Sequence, residues 1–235
     1  MRRRLVLSLG LCFSALAIPK PAMAQPSGQL DGGTFEHFLA GGFAGTETFA
    51  VRRRGQDLVA VGRVTREGGP EALRAVEVGM RVEESGRPLR YELHTREGPA
   101  LHVVVNRTGS RLRVTTTADE GERFTEFLAG ERLLIVEREI AHHYYSLARL
   151  LRRSAEPRSV QVEALIPSEG RTQEVRVRGL SRDTLTVENA RLPATRYDMT
   201  VGSEQTTLWT ATDDGRVLRV AIPSRQWHAV RVLRP

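Results

Sequence analysis

Short runs in which apolar and polar residues alternate one by one fill the chain from about residue 43 onward. The cleanest run places Val76, Val78, Met80 and Val82 in one phase and charged or small residues in the other. Similar runs lie at 101–105, 112–116, 160–166, 175–177 and 218–222. A period of two gives a strand one buried face and one solvated face, which is typical of antiparallel sheets.

Turn clusters that contain glycine separate these runs, at Gly55, Gly86, Gly109, Gly121, Gly170 and Gly215. Glycine reaches the positive φ angles that tight turns need. Strands joined by such short turns are antiparallel neighbours, because a parallel pair requires a long crossover. The pattern therefore predicts a meander of roughly a dozen strands, and a sheet of that width curls or closes.

One segment has a helical period instead. Ile140, Tyr144, Leu147 and Leu151 follow one another at spacings of 4, 3 and 4, and Pro157 prevents continuation. We therefore expect a mainly β fold: a wide antiparallel meander curled into a half-open barrel. One amphipathic helix, at about 140–152, packs on or in its concave face, since each apolar surface needs the other as a cover.

The N-terminus predicts export. Three arginines precede the uncharged residues 5–18, and small residues lead up to Ala24, so we expect a signal peptide over 1–24 that is cleaved between Ala24 and Gln25. A membrane anchor is the alternative, but a span needs about 20 apolar residues. A lipid anchor at Cys12 is disfavoured by the bulky Leu11 before it. The predicted organisation is signal peptide 1–24, flexible lead-in 25–42 and one curled β domain over 43–235.

Removing the signal peptide changes the charge. Four of the 35 basic residues and none of the 28 acidic ones precede Gln25, so the net charge falls from +7 to +3. This is weak evidence for nucleic acid, and we expect no nucleic-acid partner. The single cysteine, Cys12, leaves as well, which excludes disulfides and thiolate chemistry. We expect a periplasmic or secreted protein that does not span the membrane.

His142 and His143 form the most conspicuous polar cluster. Neighbouring helix positions point about 100° apart, so the two rings cannot chelate one ion from a helix, and no metal site is predicted. The rings either line the interface between helix and sheet or contact a ligand. There is no Gly-x-Ser-x-Gly motif, so the sequence gives no catalytic residue and implies no cofactor.

The two tryptophans, Trp209 and Trp227, lie in the C-terminal strands. Packing in the core is the ordinary role for such residues. The alternative is an aromatic rim around an apolar cavity, and Trp209 is the candidate for that role.

Six short strings carry a family resemblance: GTETF at 45–49, GRPLRY at 86–91, HHYYSL at 142–147, ATRYDM at 194–199, LWT at 208–210 and DGRVLRV at 214–220. In this layout the chain resembles uncharacterised families of bacterial periplasmic β-rich domains. More loosely, it resembles lipoprotein localisation factors, whose curled sheet holds acyl chains on its concave face. The second resemblance implies the fold only, since none of those factors' binding residues can be placed here.

These observations favour a non-enzymatic envelope protein that binds a hydrophobic or amphipathic ligand in the concave face of the sheet. The candidate ligand contacts are Tyr144, Leu147, Leu151 and Trp209. One alternative is a scaffold or assembly factor that binds an envelope protein through a strand edge or an arginine-bearing face. The other is a hydrolase with dispersed carboxylates.

Overall fold

The computed structural model describes residues 28–67 and 75–233. They form one sheet of fifteen strands and one helix. The strands are β1 (Gln29–Leu39), β2 (Gly42–Arg54), β3 (Asp57–Arg66), β4 (Ala75–Glu83), β5 (Pro88–Glu97), β6 (Leu101–Thr108), β7 (Arg111–Ala118), β8 (Gly121–Leu128), β9 (Leu133–Ile135), β10 (Gln161–Ile166), β11 (Arg171–Val187), β12 (Ala190–Val201), β13 (Glu204–Ala211), β14 (Val217–Ile222) and β15 (Trp227–Arg231). The helix α1 (Tyr144–Arg153) follows a 3-10 turn over Ala141–His143.

The predicted fold class is confirmed. The strand order is β8 to β1 in sequence, then β15 back to β9, so two meanders are joined by the pairing of β1 with β15. The sheet curls but does not close, since β8 and β9 stand at its two ends. Only residues 129–132 separate those ends along the chain. Five residue steps span at most about 18 Å, so the two ends must lie near each other.

One pair of strands departs from the antiparallel pattern. β9 runs parallel to β10, and the chain between them contains α1. Parallel neighbours require a crossover connection, and here the helix supplies it. The predicted helix is therefore the connection that returns the chain to the same end of the sheet.

The lead-in predicted for residues 25–42 is wrong from residue 29 onward. β1 begins there and is hydrogen-bonded on both sides, to β2 and to β15. Its apolar alternation is sparse because its inward positions include Asp31, Gly33 and His37 beside Phe35. The predicted signal peptide and its cleavage site lie outside the described residues.

The core lies between the concave face of the sheet and α1. The inward phase of the strands, including Val76, Val78, Met80 and Val82, is buried there together with the helix stripe. A smaller apolar cluster around Leu185, Leu218 and Trp209 packs separately at the C-terminal side of the sheet. No helix within the described residues is long and apolar enough to cross a membrane.

Candidate ligand site

A buried carboxylate fixes the start of the helical segment inside the sheet. Glu47 on β2 is fully buried. Its oxygens accept hydrogen bonds from the backbone amides of Ala141 and His142 at 2.8 and 2.7 Å. They also bond Nδ1 of His142 at 2.9 Å and Nε2 of His37 at 3.1 Å. Amides at a helix start have no partner within the helix, and a carboxylate suits the positive end of the helix dipole, so Glu47 acts as a cap from a distant strand.

The same contacts keep Glu47 ionised. Burial alone raises the pKa of its carboxyl, but the hydrogen bonds from His142 and His37 outweigh burial and hold that pKa well below its usual range. His142 also lies directly over Gly62 of β3 and stacks on Phe49, with ring centroids 5.7 Å apart. The cluster therefore fixes the register of helix and sheet.

His143 occupies a different environment. Its Nδ1 accepts the backbone amide of Glu137 at 3.0 Å, and its ring meets Tyr91 edge-on at 5.5 Å. Burial lowers the pKa of this imidazole well below its ordinary value, so the ring is neutral. The expectation that His142 and His143 line the interface between helix and sheet agrees with both placements. Among the described residues, no three His, Cys, Asp or Glu side chains are arranged to hold a metal ion.

A pocket of about 180 Å³ opens at the mouth of the curled sheet, beside the segment 137–140 that leads to α1. Its floor is apolar and comes from the inward positions of four adjacent strands and this segment. The floor residues are Val64, Val76, Leu93, Leu101 and Ile140. Its volume is below the range of about 300–1,000 Å³ that drug-sized ligands occupy, so it suits a short chain or the end of a longer one.

Charged side chains surround this floor. Arg66 pairs with Glu139 at 3.0 Å, and Arg138 donates to Glu169 at 2.7 Å and also pairs with Glu204. Arg225 reaches Glu204 at 2.8 Å from the opposite side. The rim is thus a connected ion-pair network, and its arginines can exchange a carboxylate of the chain for an anionic group of a ligand.

Two carboxyl groups of the pocket have opposite tendencies. Burial raises the pKa of Glu137, although Ser168 donates to it through its hydroxyl and its backbone amide. Burial also opposes ionisation of Glu169, but Arg138 and Arg171 lower the pKa of that carboxyl. Two carboxyl groups whose pKa values are shifted in opposite directions are compatible with the hydrolase alternative, and that alternative stays a prediction.

Two buried hydroxyls lie beside the floor without a partner. Tyr91 and Thr95 share the inward phase of β5 with Leu93, and neither side-chain oxygen has a hydrogen-bond partner in the described part of the chain. Buried polar groups are nearly always paired in folded proteins. The inner face of β5 therefore carries an unpartnered hydroxyl on either side of Leu93.

The structure separates the four predicted ligand contacts. Tyr144, Leu147 and Leu151 are at most 1% exposed, and they are packed against the sheet. Trp209 lies on the outer face, where its Nε1 donates to Asp183 at 2.8 Å. The helix residues thus fill the concavity, and a ligand reaches them only if the helix moves; their contact with a ligand stays a prediction.

A larger groove, of about 560 Å³, crosses the outer face over Ala50, Val61 and Gly79. It is shallow, and two of its rim charges already pair with each other, Arg96 with Glu77 at 2.8 Å. Because it neither encloses a ligand nor offers buried polar groups, we favour the smaller pocket at the mouth.

Sequence reasoning missed Glu47, His37 and the mouth pocket. A signal was available, since Glu47 shares the inward phase of β2 with Phe49 and Val51, and His37 shares that of β1 with Phe35. A charged side chain in the apolar phase of a strand indicates a buried, paired group. The pocket residues come from seven separate segments and leave no local pattern.

No family model matches the sequence, and no curated protein matches it. Among solved structures, the chain is similar to the YpeB C-terminal domain of Bacillus megaterium, with 10% sequence identity and a TM-score of 0.21. The match covers 75% of this chain and 89% of that one. A likeness of this size bears on neither mechanism nor partner. The predicted resemblance to periplasmic β-rich domains is confirmed for the β-rich fold. Membership in such a family stays a prediction.

Proposed function

We propose that this is an exported, non-enzymatic envelope protein that binds a small amphipathic molecule in the pocket at the mouth of the sheet. The observation that carries the proposal is the combination of an apolar floor and an arginine-bearing rim in one pocket. An aliphatic chain would contact Leu93 and Leu101, and its polar end would meet Arg66 or Arg225.

Two bulky substitutions on neighbouring residues of β6 test the proposal. Leu101 lines the pocket, whereas His102 lies on the opposite face of the same strand. We expect calorimetric titration with decanoate to show saturable binding to the wild type and to His102→Trp. Leu101→Trp fills the pocket and weakens binding tenfold or more.

Equal binding by all three proteins would place the ligand elsewhere, and no binding by the wild type would contradict the proposal. Native mass spectrometry of protein purified from the periplasm gives a second readout, since a co-purifying amphiphile supports the same role. The mass of the exported protein tests the cleavage site, because a chain that still begins at Met1 contradicts processing before Gln25.

A second candidate function is partner binding at the edge of the sheet, and β8 is the observation that favours it. β8 is an end strand, and its outer positions leave Phe124 64% and Leu128 74% exposed. Exposed edge strands with apolar side chains are ready templates for an added strand. Mild cross-linking in the periplasm should capture a partner with the wild type but not with Phe124→Glu. Val61→Glu is the control, because Val61 is an exposed apolar residue on an interior strand, and this variant should still capture the partner. Capture that is indifferent to Phe124→Glu would count against this role.

A further inference from the structure

Three side chains form a row across the outer face of the C-terminal strands. Arg196 of β12 pairs in register with Trp209 of β13, which pairs with Arg219 of β14. The guanidinium carbons lie 5.6 Å and 5.0 Å from the centroid of the Trp209 ring. The indole is therefore flanked by two cations.

The two arginines differ in their partners. Arg196 donates to Oδ1 of Asp198 through Nε at 3.0 Å and Nη2 at 2.8 Å, and Thr207 donates to the same oxygen at 3.1 Å. Arg219 has no carboxylate and no carbonyl within hydrogen-bond distance in the described part of the chain. Its Nε is buried and unpartnered, and burial lowers the pKa of its guanidinium.

Arg219 is an exception among the arginines of this protein. Within residues 28–67 and 75–233, every other arginine that is buried or half-buried donates to a carboxylate. These residues are Arg66, Arg87, Arg107, Arg138, Arg149, Arg196 and Arg231. A half-buried charge without a counterion lowers stability, and the cation–π contact with Trp209 replaces only part of what a carboxylate would supply, so the guanidinium is still able to pair with an anion from outside the chain.

The neighbours of Arg219 define the chemistry of that interaction. Trp209 presents an aromatic face, while Asp183 holds its indole N–H at 2.8 Å and so fixes the ring. Burial lowers the pKa of His228 on β15, and the charge of Arg219 lowers it further by repulsion, so no anionic partner comes from this side chain. A guanidinium beside an indole matches an anionic group carried on a ring, because the guanidinium pairs with the anion and the indole packs against the ring.

We propose that Arg219 and Trp209 form a second binding site, on the outer face of β13 and β14, for a carboxylate or phosphate group borne on a sugar ring or an aromatic ring. Nη1 and Nη2 of Arg219 bind the anion, and the indole of Trp209 packs against the ring. The site is separate from the pocket at the mouth of the sheet, and it stands whether or not that pocket binds a ligand.

Calorimetric titration with four probes tests the site. Glucuronate and glucose 1-phosphate carry the two anions on a sugar ring, whereas glucose lacks the charge and inorganic phosphate lacks the ring. We expect saturable binding of at least one charged sugar, binding of phosphate that is at least tenfold weaker, and no binding of glucose. Which charged sugar binds more tightly distinguishes a carboxylate ligand from a phosphate ligand.

Matched variants locate the binding. Arg219→Met and Trp209→Phe should each weaken binding of the charged sugar tenfold or more, while Arg178→Met, at an exposed arginine of β11, leaves it unchanged. Thermal unfolding of Arg219→Met should match or exceed that of the wild type, because an uncompensated charge is removed. Equal binding by Arg219→Met, equal binding of glucose, or no binding of either charged sugar would overturn the proposal.

Discussion

The concave face of the sheet and its outer face both remove charged groups from water, but the outer face leaves one of them, Arg219, without a counterion. Inside, Glu47 receives four hydrogen bonds, and Arg231 is held by Asp31 with Nη2 2.6 Å from Oδ1. On the outer face, Arg219 is half-buried and has no carboxylate partner in the described part of the chain. A buried charge that is fully paired maintains the fold, whereas one without a counterion is available to bind something else.

The largest effect should come from Glu47→Ala. Removal of this carboxylate leaves two backbone amides and two imidazoles without their acceptor, and the loss of one partner of a buried ionic group costs about 3–5 kcal/mol. Chemical denaturation measures the free energy of unfolding. Glu36→Ala, on the outer phase of β1, is the control and should change it by less than about 0.5 kcal/mol. Similar losses in both variants would show that the Glu47 cluster has no special role in stability.

Two arginines compare the faces directly. Arg231→Met leaves Asp31 buried without a counterion, so we expect a loss of about 3 kcal/mol or more. Arg219→Met removes a charge that has no counterion and should be neutral or stabilising. Urea denaturation of both variants gives the comparison. If Arg219→Met is as harmful as Arg231→Met, then the outer arginine has a structural role and the contrast between the faces fails.

Substitution of two glycines on adjacent strands compares the space available on the two faces of the sheet. A methyl group at Gly62 points inward and would lie 2.9 Å from Nδ1 of His142, whereas one at Gly79 points outward and meets nothing within 4 Å. Overpacking typically costs about 1–3 kcal/mol. We therefore expect Gly62→Ala to lower stability by that amount. Gly79→Ala should leave stability unchanged or raise it by up to about 1 kcal/mol, since glycine is unfavourable within a strand. Thermal unfolding measures both variants. Equal melting temperatures for Gly62→Ala and Gly79→Ala would contradict the packing of His142 on β3.

The smallest effect is a pH dependence that comes from His143. Its pKa is lowered by burial in the folded protein, so below about pH 6.5 the unfolded chain takes up a proton that the folded chain does not. Stability from this group is therefore full above about pH 6.5 and declines as the pH falls toward the folded pKa. Glu137 acts in the opposite direction, because its raised pKa means that its contribution is lost as the pH rises above about 4.5.

His143→Gln isolates the contribution of His143. The difference in unfolding free energy between wild type and variant should shrink as the pH is lowered from 7 to 5, measured by denaturation at fixed salt. A constant difference would mean that His143 takes up a proton equally in both states. Burial at the interface between helix and sheet would then not disfavour the protonated, charged form of His143.

The amino-acid sequence by itself determined the local structure. Alternation identified the inward residues of β4, β6 and β10, and glycine clusters marked many of the turns, because both depend on neighbours in the chain. The spacing of Ile140, Tyr144, Leu147 and Leu151 located α1 to within a few residues. Together these features gave the fold class, since an amphipathic helix and a half-apolar sheet can only bury their faces against each other.

Only the tertiary structure decided which distant residues meet. β1 was missed because its inward phase includes Asp31 and His37. Asp31 can be buried because it pairs with Arg231, far away in the sequence, and His37 because it hydrogen-bonds to Glu47 on the neighbouring strand. The mouth pocket likewise requires seven segments to converge. That Arg219 lacks a counterion is visible only in the folded structure, where each of the other buried or half-buried arginines in the described part of the chain contacts a carboxylate. Local periodicity reports which face of a strand is buried, but the partner of a buried charge is set by the curl of the sheet.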